Sequence, residues 1–102
     1  DASDLTYSWT IPDEIGNQLR VKITNNADSA VTDESAGDFT IKGILDLTAP
    51  DGGEVWIVGS SHNITWQRTG SIANVKLDYS TDGGTSYSHE IIASTDASAG
   101  TY

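Results

Sequence analysis

A chain of 102 residues has room for one modest hydrophobic core. Its fifteen acidic against five basic side chains leave a net charge of -10, which repels phosphate backbones and anionic lipid surfaces, so nucleic acid is not an expected partner. Cysteine and methionine are both absent, which excludes disulfides, thiolate-ligated metal and oxidisable sulfur and suits an extracellular or cell-surface location. No apolar run is long enough to span a bilayer, so membrane insertion is not expected either, and any export signal is expected outside the chain.

In chain order, the first apolar alternation is Tyr7, Trp9 and Ile11, which ends at a polar turn over residues 12–16. Leu19, Val21 and Ile23 then alternate with Arg20, Lys22 and Thr24, the pattern of one half-buried strand. Small and polar residues at 25–28 and 35–38 predict turns before a short strand carrying Phe39 and Ile41. Leu45 and Leu47, Val55 and Ile57, and Ile64 and Trp66 mark three more strands, separated by glycine-containing turns at 50–53 and 59–61. Val75, Leu77 and Tyr79 alternate cleanly with Lys76, Asp78 and Ser80, and after a turn at 82–84 a last strand surrounds Ile91 before a turn at 96–100. No window reads as a helix. Seven or eight short strands between such turns predict an all-β, antiparallel sandwich. Its expected core is Trp56, Trp66, Val75, Leu77, Tyr79, Leu19, Val21, Ile23, Phe39 and Ile41.

Few residues invite chemistry. Asp28, Asp33, Glu34 and Asp38 fall within eleven positions, and Asp51 and Glu54 flank a glycine turn, so oxygen ligands for calcium are on hand. Their spacing matches no EF-hand loop, and a solvated, aggregation-resistant surface explains them more simply; no other cofactor is expected. His62 and His89 stand apart without cysteine, which argues against zinc. Twenty-four serines and threonines include none in a nucleophile elbow, so the chain does not read as an enzyme. Asn63, Ile64 and Thr65 form a glycosylation sequon within a predicted strand. Residues 80–87, STDGGTSY, resemble the Asp-box of sialidase-like propellers, with Tyr87 in the usual tryptophan position. A structural turn is the expected role, with Asp82 and Thr85 bonding the backbone and Gly83 and Gly84 taking positive φ.

Residues 50–66, PDGGEVWIVGSSHNITW, set two glycines before Trp56 and a third between Trp56 and Trp66. This stretch resembles the immunoglobulin-like repeats of secreted bacterial surface proteins, of the form Pro-Asn-Gly-Gly-Glu-x-Trp followed by Ile-Thr-Trp. It is similar also to the immunoglobulin-like domain of fungal cell-wall and GPI-anchored Ser/Thr-rich proteins. Asp51 stands where asparagine is usual. The resemblance continues through NVKLDYSTDGG, YSWTIPD, LRVKI and DFTIKG, but in rotated order. It implies an immunoglobulin- or fibronectin-III-like sandwich present as one rotated period: residues 1–43 as the closing half of one repeat and 44–102 as the opening half of the next, with Gly43 the only obvious hinge. The ends agree with a period of 95 residues, since DASDLTY at 1–7 returns as DASAGTY at 96–102 with five identities. An unpaired half exposes an apolar face and open edges, so each half needs a complement. The expected function is a structural or adhesive repeat that builds a stalk or filament by sharing sandwich halves head to tail with copies of itself or adjacent repeats. The alternative is a carbohydrate-binding module that stacks exposed tryptophan and tyrosine on polysaccharide.

Overall fold

A computed structural model describes residues 2–102. The described residues are mostly strand, and their only helical turns are two 3-10 segments at Ala2–Asp4 and Ala97–Ala99. It divides into two units, Asp1–Lys42 and Gly43–Tyr102. Every ladder is antiparallel and two strands wide.

In the first unit, β1 (Gly16–Leu19) pairs with β4 (Phe39–Ile41), and β2 (Lys22–Asn25) with β3 (Asp28–Glu34). The single strand predicted from Leu19 to Ile23 is thus two strands with different partners. The exchange occurs at Arg20 and Val21: Arg20 Nε bonds Asp38 Oδ1 at 2.8 Å, while Val21 N–H donates to Ser35 Oγ and its carbonyl accepts from Ser35 N–H. Apolar alternation reports which face is covered, not which neighbour a strand pairs with. β3 itself, DSAVTDE, carries no alternation to predict it. Its pairing rests on the ladder and on Thr32, whose hydroxyl donates to the carbonyl of Ile23. Residues 7–11 form no strand, although Tyr7, Trp9 and Ile11 alternate.

In the second unit, β5 (Ile44–Ala49) pairs with β6 (Thr65–Thr69), and β7 (Asn74–Tyr79) with β8 (His89–Asp96). Leu45, Leu47 and Trp66 from the first pair line one cleft of about 230 Å³ with Val75 and Leu77 from the second. The strand expected at Val55 and Ile57 is a loop. Gly52, Gly53 and Gly59 all have positive φ, and Glu54 turns back to accept the N–H groups of Asp51 and Gly52 at 2.8 and 2.7 Å.

Burial is sparse. Of the ten expected core residues only Trp66 is buried; Leu19, Phe39, Ile41, Val75 and Leu77 are half-buried, and Val21, Ile23, Trp56 and Tyr79 are exposed. The physical reason is the width of the ladders: a two-stranded ribbon with no second layer leaves one face uncovered. The total accessible surface is 8292 Å² for 10.8 kDa. Even two separate compact monomers dividing that mass in the ratio of the units would expose only roughly 6,700 Å².

Candidate functional site

The best-built feature of the second unit is the edge of β6. One edge carries β5, with Leu47 opposite Trp66 and Ala49 opposite Thr65. The other is met by the last three residues. Trp66 N–H donates to the carbonyl of Gly100 at 3.0 Å, Thr101 bridges Thr65, and Tyr102 and Ile64 exchange both backbone bonds at 2.8 Å. The local sequence explains how the tail reaches this edge. Asp96, extended at φ -63°, caps the helical turn Ala97–Ala99 by accepting from the backbone N–H and hydroxyl of Ser98, which together hold its carboxyl below the usual range. Gly100 then takes φ 68° and turns the chain back into a strand.

Trp66 locks this arrangement from the side. Its indole N–H donates to the carbonyl of Ala97 at 2.8 Å, and Ala97 N–H donates to the carbonyl of Ala73 at 2.9 Å. Trp66 is 6% exposed and Ala97 1%, and these two are the only buried apolar residues among those described.

Among the described residues no backbone bond engages Ser61, His62 or Asn63. The Trp56 ring stacks on His62 with centroids 4.5 Å apart and planes 6° from parallel. Ser60 Oγ lies 3.0 Å from His62 Nε2, but its proton goes to the carbonyl of Ile57 at 2.6 Å. The imidazole must therefore donate to Ser60, the reverse of what activates a nucleophile. His89 stacks likewise on Tyr79, its cross-strand partner, at 4.8 Å.

The candidate calcium ligands do not converge. Asp28 accepts the N–H of Ala30, Asp33 and Glu34 point to opposite faces of β3, and Asp38 pairs with Arg20. In the second unit Glu54 is held by its own loop, whose N–H groups at Asp51 and Gly52 keep its carboxyl below the ordinary value. Among the described residues no three histidine or acidic side chains gather closely enough to hold a metal ion. No helix there is long and apolar enough to cross a membrane.

Residues 80–87 connect β7 to β8 around Asp82. Its carboxylate accepts the Ser80 hydroxyl at 2.6 Å, the Ser86 hydroxyl at 2.6 Å and the Ser86 N–H at 2.9 Å, lowering its pKa to about 2. Gly83 and Gly84 have φ of 71° and 91°. The serines at 80 and 86, not Thr85, supply the partners.

Comparison with known proteins found no matching family model, no matching curated protein and no matching solved structure. The site must therefore be read from its own geometry. Sequence reasoning missed the tail's place on β6 and both histidine stacks. One signal was available: His62, Ile64 and Trp66 stand at intervals of two, the spacing of a single strand face.

Proposed function

We propose that the chain is a non-enzymatic structural or adhesive repeat of extracellular surfaces, which completes immunoglobulin-like sandwiches by sharing halves with copies of itself. Residues 1–43 supply one half and residues 44–102 the other. The observation that carries this reading is the uncovered apolar surface. Val21, Ile23 and Val31 in the first unit and Ile44, Leu45, Leu47 and Tyr79 in the second are all exposed. Exposed apolar area on this scale marks interaction surfaces. The excess over two compact units, roughly 1,600 Å², lies in the range of stable, specific protein interfaces. Contact between unlike halves is heterologous, so it propagates instead of closing.

The carbohydrate-binding alternative needs a flat platform of exposed tryptophans. Trp66 is buried with its indole N–H engaged, and the Trp56 ring is stacked on His62. Of the tryptophans, only Trp56 and Trp9 remain exposed, and they belong to different units.

Electron microscopy of the purified chain over a rising concentration series tests the proposal. Filaments with an axial repeat on the order of 35–45 Å, the length of six- to eight-residue strands plus loops, are expected. Discrete, closed particles at every concentration would overturn it.

A further inference from the structure

The β2–β3 ribbon has two unlike faces. Ile23 stands directly opposite Asp33, and Val31, two residues before Asp33, shares their side, so one face carries two branched aliphatic side chains and a carboxylate. The other face sets Lys22 opposite Glu34 and Thr24 opposite Thr32, whose hydroxyls lie 3.3 Å apart, and it suits water. Ile23 and Val31 are 71% and 56% exposed. The Asp33 carboxylate has no hydrogen bond or ion pair among the described residues.

The second unit carries a face of complementary character. Leu45, Leu47 and Trp66 meet Val75 and Leu77 across an open cleft, and both basic side chains of this unit border it. Arg68 is opposite Leu45 in the β5–β6 ladder and so lies on the side of Trp66, where its Nη1 donates to the carbonyl of Ile72. Lys76 lines the cleft itself and is held more loosely. Its Nζ is 3.5 Å from Asp78 Oδ1, its side chain is more than half exposed, and an ammonium has three donors to share.

We infer that the β2–β3 ribbon of one copy lies face down on this cleft of another, with Ile23 and Val31 covering Leu45, Leu47 and Leu77, and Asp33 meeting Lys76. This rests on the shared-half reading above and names its contact.

Charge, area and connection all select a second copy as the occupant. In a chain of net charge -10 the surfaces of two copies repel on average, so a stable contact falls where an unpaired carboxylate can face a loosely held cation. The excess exposed area, roughly 1,600 Å², is that of one standard contact between proteins. Only Lys42 and Gly43 separate β4 from β5, and a Cβ on Gly43 would lie 2.7 Å from the Thr69 carbonyl oxygen, so the joint has little freedom to double a chain back on itself.

Reversing the two charges tests the contact. Asp33→Lys sets two cations against each other and Lys76→Asp two carboxylates. Each alone is expected to raise the concentration of half-association, read by sedimentation, about ten-fold. In an equimolar mixture each chain carries on both units the complement of the other, so the mixture is expected to associate within about two-fold of the parent. Glu34→Lys is the control. It changes the net charge as Asp33→Lys does, but on the polar face of the same strand, and by reducing repulsion between copies it leaves association unchanged or stronger. Far-UV circular dichroism checks that each variant folds; should Lys76→Asp melt below the parent, Lys76→Glu, with its longer side chain, takes its place. Single variants that associate at the parent's concentration would overturn the inference, and so would a mixture no better than its components. In either case a parent that still associates shares halves by another contact, whereas a parent that stays monomeric at every concentration loses both readings.

Discussion

Replacing Trp66 with phenylalanine removes one indole N–H and the volume of its second ring from the only buried site in the second unit. The Ala97 carbonyl loses a 2.8 Å bond but keeps a longer one, 3.3 Å, from Gly100 N–H. It is thus not fully orphaned, and the hydrogen-bond loss belongs near the lower end of its usual range, about 1 kcal/mol. The vacated ring volume adds about 1–2 kcal/mol, because the flanking β5 and the tail are tied to β6 by backbone bonds and cannot collapse freely. A total of about 2–3 kcal/mol corresponds to a fall in Tm of about 10–20 °C for a unit this small. Trp56→Phe is the matched control. That ring is exposed, its indole N–H bonds nothing among the described residues, and phenylalanine retains a face to stack on His62. Its loss is expected to stay below about 1 kcal/mol. Far-UV circular dichroism on dilute protein measures both without relying on tryptophan fluorescence. If Trp66→Phe melts no lower than Trp56→Phe, then Trp66 does not organise the second unit.

Three further outcomes follow from local geometry. Gly43→Ala places a Cβ 2.7 Å from the Thr69 carbonyl oxygen at the start of β5 and is expected to destabilise by about 1–3 kcal/mol, while Gly37→Ala meets nothing within 4 Å and stays within about 0.5 kcal/mol, both read from urea melts. Because hydrogen bonds lower the Asp82 pKa from 3.8 to about 2, its ionised form favours the folded state; that stabilisation is present above pH 3.8 and disappears as the pH falls through about 2. An Asp82→Asn variant should therefore lose stability less steeply than the parent between those values, and parallel curves would refute this. Addition of a calcium chelator is expected to leave Tm unchanged, and a shift of several degrees would mean that dispersed carboxylates such as Asp28 and Asp38 gather in a way the fold does not display.

Strand composition was readable where one face of a strand meets apolar neighbours. Val75 and Leu77 alternate with Lys76 and Asp78, and β7 forms there with Val75 and Leu77 half-buried on either side of an exposed Lys76. Turn chemistry was equally legible around Asp82, since Gly83 and Gly84 have few other uses. β3 was illegible because its stability comes from ladder bonds and the Thr32 hydroxyl, which leave no hydrophobic period. The strands expected at residues 7–11 and at Val55 and Ile57 illustrate the opposite error. Alternation states what a segment will do when something lies against it, and among the described residues nothing pairs with residues 7–11. The expected core failed for the same reason: Ile23 carries the right side chain on a ribbon whose face is uncovered. At the β6 edge the sequence showed the repeated heptapeptide, but the pairing of Tyr102 with Ile64 depends on the turn at Gly100, which no apolar period encodes.

The claim that the apolar faces of the two units are covered by other copies is tested most directly by sedimentation equilibrium of the unmodified chain across a wide concentration range. The account predicts a weight-average mass that climbs without plateau from the 10.8 kDa of a single chain. A mass fixed at 10.8 kDa throughout the range, with Leu45, Leu47 and Ile23 still in water, would contradict it.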